Sequence, residues 1–173
     1  MTLTVILLRH AKSSWGDKAL ADFDRPLAER GVRDAPRMAK WLRAEGVAPQ
    51  LVLCSTAQRT QQTLALIRPT LPNRCTVQLT KSLYMADVRT LLTAIRGAPE
   101  TVRHIMLIGH NPGLEDAART LVGAGDQALR AAMAAKFPSA GCAMITFDAA
   151  QWSAVAARAG VLTRWMTPRG LPA

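Results

Sequence analysis

Leu3-Thr4-Val5-Ile6-Leu7-Leu8-Arg9-His10 is a short apolar run that ends abruptly in two polar residues, and a second run, Ile105-Met106-Leu107-Ile108-Gly109-His110, repeats the pattern far downstream. Short runs rich in β-branched and aliphatic residues predict buried strands. In open parallel α/β sheets, ligands bind just beyond the carboxyl ends of such strands. Two of the chain's three histidines, His10 and His110, therefore stand where a parallel sheet does its chemistry.

Outward from these runs, strands and helices alternate. After a polar stretch over 11–26, Val32, Ala35, Met38, Ala39 and Leu42 recur at helical spacing up to Gly46, which predicts an amphipathic helix. Leu51-Val52-Leu53-Cys54 predicts a strand. Ser55-Thr56-Ala57-Gln58 has the S-x-x-Q form of a capping box, opening a helix that carries Thr63, Leu64 and Ile67 and closes at Pro69 and Pro72. Residues 75–79 predict a third strand, and Val88, Leu91, Leu92 and Ile95 a helix stopped at Gly97 and Pro99. Beyond His110, Asn111-Pro112 supplies an N-cap and a first-position proline for a helix with Leu114, Ala117, Ala118 and Leu121 on its apolar face. A helix over 126–136, a strand over 142–147, a helix over 150–159 and a strand over 161–166 complete the order. This alternation predicts an α/β domain, a mainly parallel sheet with helices on both faces. With no repeat or linker, one domain spans residues 1–173.

Composition narrows the function. At 173 residues, 49% hydrophobic and 20% charged, the chain can bury one substantial core. The first apolar run, over residues 3–8, is cut off by Arg9, too short for a signal-peptide core or a spanning helix, so a cytoplasmic protein without membrane association is expected. Cys54, Cys75 and Cys142 are odd in number and widely separated, which fits buried apolar residues better than disulfides or a zinc site. Lys and Arg number 22 against 12 Asp and Glu, a net +10 that favours anionic partners. The basic residues are scattered without a block or interleaved aromatics, so no nucleic-acid partner is expected.

Three strand ends supply an anion cage: Arg9 and His10 after the first, Arg59 in the first turn of the helix after the second, and His110 after the fourth. Arginine matches a phosphate bidentately and stays charged, and a helix starting at Asn111 would present free N–H groups to an anion. A phosphoryl group is the natural occupant. One histidine can then act as nucleophile and the other as donor, with the arginines stabilising the charge on the transferring group. The chemistry asks for no metal or cofactor, and no ligand cluster in the sequence offers a metal site.

These residues carry a resemblance. Leu8-Arg9-His10-Ala11-Lys12, Ser55-Thr56-Ala57-Gln58-Arg59-Thr60 and Gly109-His110-Asn111-Pro112, with Asp24-Arg25-Pro26-Leu27 and Gly31 in support, resemble the histidine phosphatase superfamily, and most closely its small phosphohistidine phosphatase (SixA-like) branch. The resemblance implies a single-domain three-layer sandwich, a mostly parallel mixed sheet between helices of phosphoglycerate mutase-like fold. It implies His10 as nucleophile and Arg9, Arg59 and His110 as phosphoryl ligands, with Lys12 placed to touch substrate. Two departures are visible. Ala11 stands where the commonest first motif has glycine. The region where mutase and acid-phosphatase branches place a general acid reads Thr80-Lys81-Ser82-Leu83-Tyr84-Met85-Ala86, with only Asp87 close.

The second departure bears on substrate. An alkoxide must be protonated to leave, whereas imidazole, with a side-chain pKa of about 6.5, leaves readily. The expectation is P–N cleavage on a phosphorylated protein, through a covalent phosphohistidine on the enzyme. A phosphomonoesterase acting on a small ester and a catalytically idle phospho-ligand binding module are the alternatives, and Asp17, Asp22, Asp24, Asp87 and Glu115 remain candidate proton donors. The lack of a long insertion before His110 suits an open site for a protein side chain, and the positive charge suits an acidic partner such as a histidine phosphotransfer domain. His104 and the helical Arg33, Arg37 and Lys40 read as surface residues, Arg25 as a loop anchor, and Trp41, Trp152 and Trp165 as core or half-buried residues.

Overall fold

Both faces of β1 (Thr2–Arg9) are covered, which is why its sequence is a continuous apolar run and not an alternating one. The structure, a computed structural model, describes residues 1–172. One seven-stranded sheet runs through them in the order β3-β2-β4-β1-β6-β7-β5. Its other strands are β2 (Leu51–Ser55), β3 (Thr76–Thr80), β4 (His104–Gly109), β5 (Val122–Gly125), β6 (Cys142–Asp148) and β7 (Gly160–Met166). β1, β2, β3 and β4 run parallel, β6 is antiparallel to both β1 and β7, and β5 joins β7 in parallel.

Alternate residues of the central strands feed two cores. Leu3, Val5 and Leu7 of β1 and Ile105 and Leu107 of β4 pack with α3 (Val88–Arg96), α4 (Gly113–Leu121) and α5 (Gln127–Ala135). Ile6 and Leu8, with Met106 and Ile108, pack with α1 (Glu29–Ala44) and α2 (Gln58–Ile67) on the other face. The result is the three-layer, mostly parallel mixed architecture that the resemblance implies, with helices on both faces as the alternation predicts.

One expected element is absent and one strand is unexpected. Residues 150–159 do not form a helix; only a 3-10 turn at Trp152–Ala154 appears. Trp152 is fully buried and its indole N–H donates to the Val102 carbonyl (2.9 Å), tying the segment to the chain just before β4. β5, by contrast, was not expected from Val122-Gly123-Ala124-Gly125, which carries two glycines and almost no apolar pattern.

The topology assembles one end of the sheet. β4 lies between β1 and β2, and the β1–β4 register sets Arg9 opposite Gly109, so that His10 and His110 leave adjacent strands together. The His10 backbone N–H donates to the Gly109 carbonyl (3.1 Å), extending that pairing into the two histidines. Two glycines bring the flanking loops in: a Cβ at Gly31 would stand 2.2 Å from the Lys12 carbonyl oxygen, and one at Gly113 would stand 1.9 Å from that of Ala86. Any side chain there would push the loop after His10, or the loop after β3, away from the sheet end.

Candidate active site

At the carboxyl ends of β1, β2 and β4 the structure opens a cleft of about 270 Å³ whose lining includes Arg9, His10, Lys12, Asp22, Arg59 and His110. All five residues expected at the site from the sequence meet there. The His10 and His110 rings lie 5.3 Å apart, centroid to centroid.

His10 is buried and its tautomer is set by the backbone. Nδ1 lies 2.7 Å from the Ala11 carbonyl oxygen, which can only accept, so Nδ1 carries the proton and Nε2 the free lone pair. Arg59 Nε donates to that Nε2 at 3.3 Å. Burial, reinforced by the neighbouring His110 and by the charges of Arg59 and Arg9, pulls the His10 pKa down to about 3 despite the Ala11 hydrogen bond. The ring is therefore neutral at physiological pH and its lone pair is available.

His110 is fixed from its other side. Ser55 Oγ accepts the Ala57 N–H (3.4 Å) and lies 2.8 Å from His110 Nε2. A serine hydroxyl keeps a second lone pair and one hydrogen, so it can pair with Nε2 in either direction; when it donates, the His110 proton lies on Nδ1. His110 Nδ1 is buried and has no partner within the protein; Arg9 Nε and Asn111 Oδ1 share that condition. Burial, followed by the charge of Arg59, lowers the His110 pKa to about 4, so this ring too is neutral. Buried polar atoms are nearly always paired in folded proteins, and here these three belong to side chains lining one cleft.

The sequence motif around Ser55 thus plays a different part from the one expected. It is the last residue of β2, the helix begins at Gln58 with no side-chain cap, and the hydroxyl serves His110. Likewise the helix after His110 starts at Gly113, Pro112 occupies the cap position, and the Asn111 side chain donates to Glu115 (3.1 Å) and to the Phe137 carbonyl (2.9 Å). The Leu114 N–H goes to the His110 carbonyl (3.0 Å), so it is not left free for an anion.

Asp22 is the site residue that the sequence did not single out from the other carboxylates. Its carboxylate accepts from Tyr84 Oη (2.6 Å), Arg59 Nη2 (3.0 Å) and Arg25 Nη1 (2.7 Å), and its carbonyl from Arg59 Nη1 (2.6 Å). The Tyr84 hydrogen bond and the Arg59 guanidinium draw its pKa down to about 2 against partial burial. It is held ionised and is a poor proton donor. Arg25 also donates to Ser14 and Ser13 and lies 3.3 Å from the Trp15 ring centroid, the loop anchor it was read to be.

Of the other candidate donors, Asp87 caps α3 through the Thr90 N–H, Asp17 accepts from Ala19, and Glu115 pairs with Arg119 at 2.7 Å. Where a general acid was sought after β3, the residue lining the cleft is Met85, its sulfur 4.0 Å from Arg59 Nη2. Among the described residues no group of three His, Cys, Asp or Glu gathers as metal ligands, and no helix is long and apolar enough to cross a membrane.

Comparison with known proteins bears on the family and the fold. Residues 5–84 match the Histidine phosphatase superfamily (branch 1). An uncharacterized protein of Mycobacterium tuberculosis is 36% identical over 164 residues, covering 94% of this chain and 100% of that one. One of Mycobacterium leprae is 35% identical over 168 residues, again covering 94% and 100%. Among solved structures, the Agrobacterium tumefaciens protein assigned by name to phosphohistidine phosphatase SixA superposes with a TM-score of 0.81 at 31% identity, covering 96% of this chain and 98% of that one. The protein histidine phosphatase SixA complexed with tungstate shares the fold at 22% identity and a TM-score of 0.77, covering 96% and 98%.

Proposed function

Since the chain belongs to the histidine phosphatase superfamily, we propose that it is a phosphohistidine phosphatase, cleaving a P–N bond on a phosphorylated protein through a phosphohistidine formed on His10. The His10 Nε2 lone pair attacks phosphorus while the substrate ring carries a solvent-derived proton on its other nitrogen, so the P–N bond breaks and neutral imidazole departs with the electron pair. Water then attacks the phosphoryl group on Nε2; dihydrogen phosphate leaves with both water hydrogens, and the lone pair is restored on a ring still protonated at Nδ1. Arg9, Arg59 and His110 Nδ1–H hold the non-bridging oxygens through both steps, and Lys12 at the rim contacts the anion.

One observation carries the choice of P–N over P–O: the only carboxylate among the cleft residues named, Asp22, is held ionised by three donors. General acid catalysis contributes about 10²- to 10⁴-fold where a poor leaving group needs it, and this site has no evident group to supply it. The name of the Agrobacterium relative supports the same reading, and the three buried, unpaired cysteines suit the cytoplasm. With chelator present, a phosphohistidine protein is expected to release phosphate at least about 100-fold faster than a phosphoserine peptide. Comparable rates would reveal a hidden acid and an esterase; no turnover of either would favour the idle binding module or a small metabolite.

Ser55 acts in this scheme as a positioning residue, because the His110 proton must lie on Nδ1 to be donated. Ser55→Ala removes the hydrogen bond to Nε2 and is expected to lower kcat about tenfold, the kinetic equivalent of one net hydrogen bond. Imidazole ¹⁵N shifts should show His110 moving from the Nδ1–H form to a mixture. Unchanged shifts with a lowered rate would assign the loss to packing instead.

A further inference from the structure

Beside the catalytic cleft lies a second, larger depression of about 450 Å³, and the two share Arg9, Lys12 and Ser139. Besides Arg9 and Lys12 it is lined by Arg30, Lys136 and Arg169, five cationic side chains in all, with no carboxylate among the lining residues. Among the described residues, no salt bridge joins Lys12, Lys136 or Arg169 to an acid, whereas Arg30 pairs with Asp34 at 3.3 Å. The rest of the wall is mixed: Trp165, Pro138, Pro168 and Ala132 add apolar area, and Ser139 and Thr167 add hydroxyls.

We propose that this groove is the docking subsite for an acidic polypeptide segment flanking the phosphorylated residue of the substrate. The inference rests on the reading that the cleft takes a phosphorylated protein and adds which part of that protein is held and where. Three observations carry it. The groove is continuous with the cleft through Arg9 and Lys12, so a chain whose phosphoryl group sits between His10 and His110 can extend directly into it. Among the described residues, Lys12, Lys136 and Arg169 gather without counter-ions; such like charges raise one another's energy, and an anionic partner relieves this. A mixed wall of cations and apolar rings fits carboxylate side chains on a polypeptide better than a bare inorganic anion, which needs no apolar contact.

The test is binding without catalysis. Fluorescein-labelled octaglutamate is titrated into the native protein by anisotropy, alongside octalysine and an eight-nucleotide oligodeoxynucleotide carrying the same label. Octaglutamate is expected to bind, weakening as salt rises, and octalysine is not. Lys136→Glu/Arg169→Glu is expected to raise its Kd about tenfold or more. A charge-matched control on a separate basic depression, Arg130→Glu/Arg158→Glu, is expected to leave it within about twofold. If the first pair unfolds, as judged by circular dichroism, Lys136→Gln/Arg169→Gln carries the same expectation at smaller amplitude. Equal losses from both pairs would reduce the effect to net charge and overturn the groove, as would tighter binding of the oligonucleotide. Because no turnover is involved, groove-dependent binding without phosphohistidine hydrolysis overturns only the phosphatase reading. Hydrolysis without groove-dependent binding overturns only the groove.

Discussion

His10→Ala is expected to lower phosphohistidine hydrolysis on the order of 10⁴-fold or more, the cost of deleting a covalent nucleophile, and to abolish labelling of the enzyme by a phosphorus-32 donor. The argument starts from one atom. Nδ1 is committed to the Ala11 carbonyl, so Nε2 is the sole nitrogen left with a lone pair. Burial keeps that lone pair unprotonated far below neutrality. The other ring in the cleft is held differently, with His110 Nε2 engaged by Ser55 at 2.8 Å. The label on the native enzyme should survive base and be lost in acid, as a phosphoramidate is. The change removes side-chain contacts to Ala11 and Arg59 while the backbone pairing with Gly109 remains, so circular dichroism should be unchanged. Persistence of an acid-labile label in His10→Ala would transfer the nucleophile elsewhere, and full activity without any label would replace the covalent scheme by direct attack of water.

How much of this was legible in the chain follows from where each signal resides. β1 and β4 could be read because strands covered on both faces must be apolar throughout, and the polar residue that ends each run marks the sheet end. That placed Arg9, His10 and His110 correctly without knowledge of strand order. Arg59 also followed from local order, since a helix directly after a strand starts at the same sheet end. What local patterns could not show was partnership over distance. Asp22 reaches Arg59 across 37 residues and Tyr84 across 62, and nothing around Asp22 distinguishes it from Asp17 or Asp24. Ser55 was misread for a related reason: the same hydroxyl can cap a helix or hold a histidine, and only the neighbouring strand decides. The missed β5 and the absent helix over 150–159 show the limits of periodicity: two glycines can pair as an edge strand, and one buried tryptophan can override an alanine-rich segment.

Arg59 is the hinge between the resting and the occupied cleft, and replacing it should cost nearly as much as any residue except the nucleophile. In the structure its three nitrogens are all engaged, Nε with His10 Nε2 and the two Nη groups with Asp22. A phosphoryl group seated on Nε2 must displace the first contact and compete with Asp22 for the rest. The carboxylate therefore stands in for the missing anion, keeping a buried guanidinium paired until substrate arrives. Arg59→Ala is expected to lower kcat about 10²- to 10³-fold, the usual effect of removing one preorganised donor to a transition-state oxygen. Arg59→Lys keeps a cation but loses the planar fork, so it should recover only a small part of that loss. Steady-state kinetics on a phosphohistidine protein provide the measurement. Full recovery with lysine would mean that charge alone is used and that the paired Nη geometry seen with Asp22 is not the geometry presented to phosphate. A loss confined to KM, with kcat intact, would move Arg59 from transition-state stabilisation to ground-state binding.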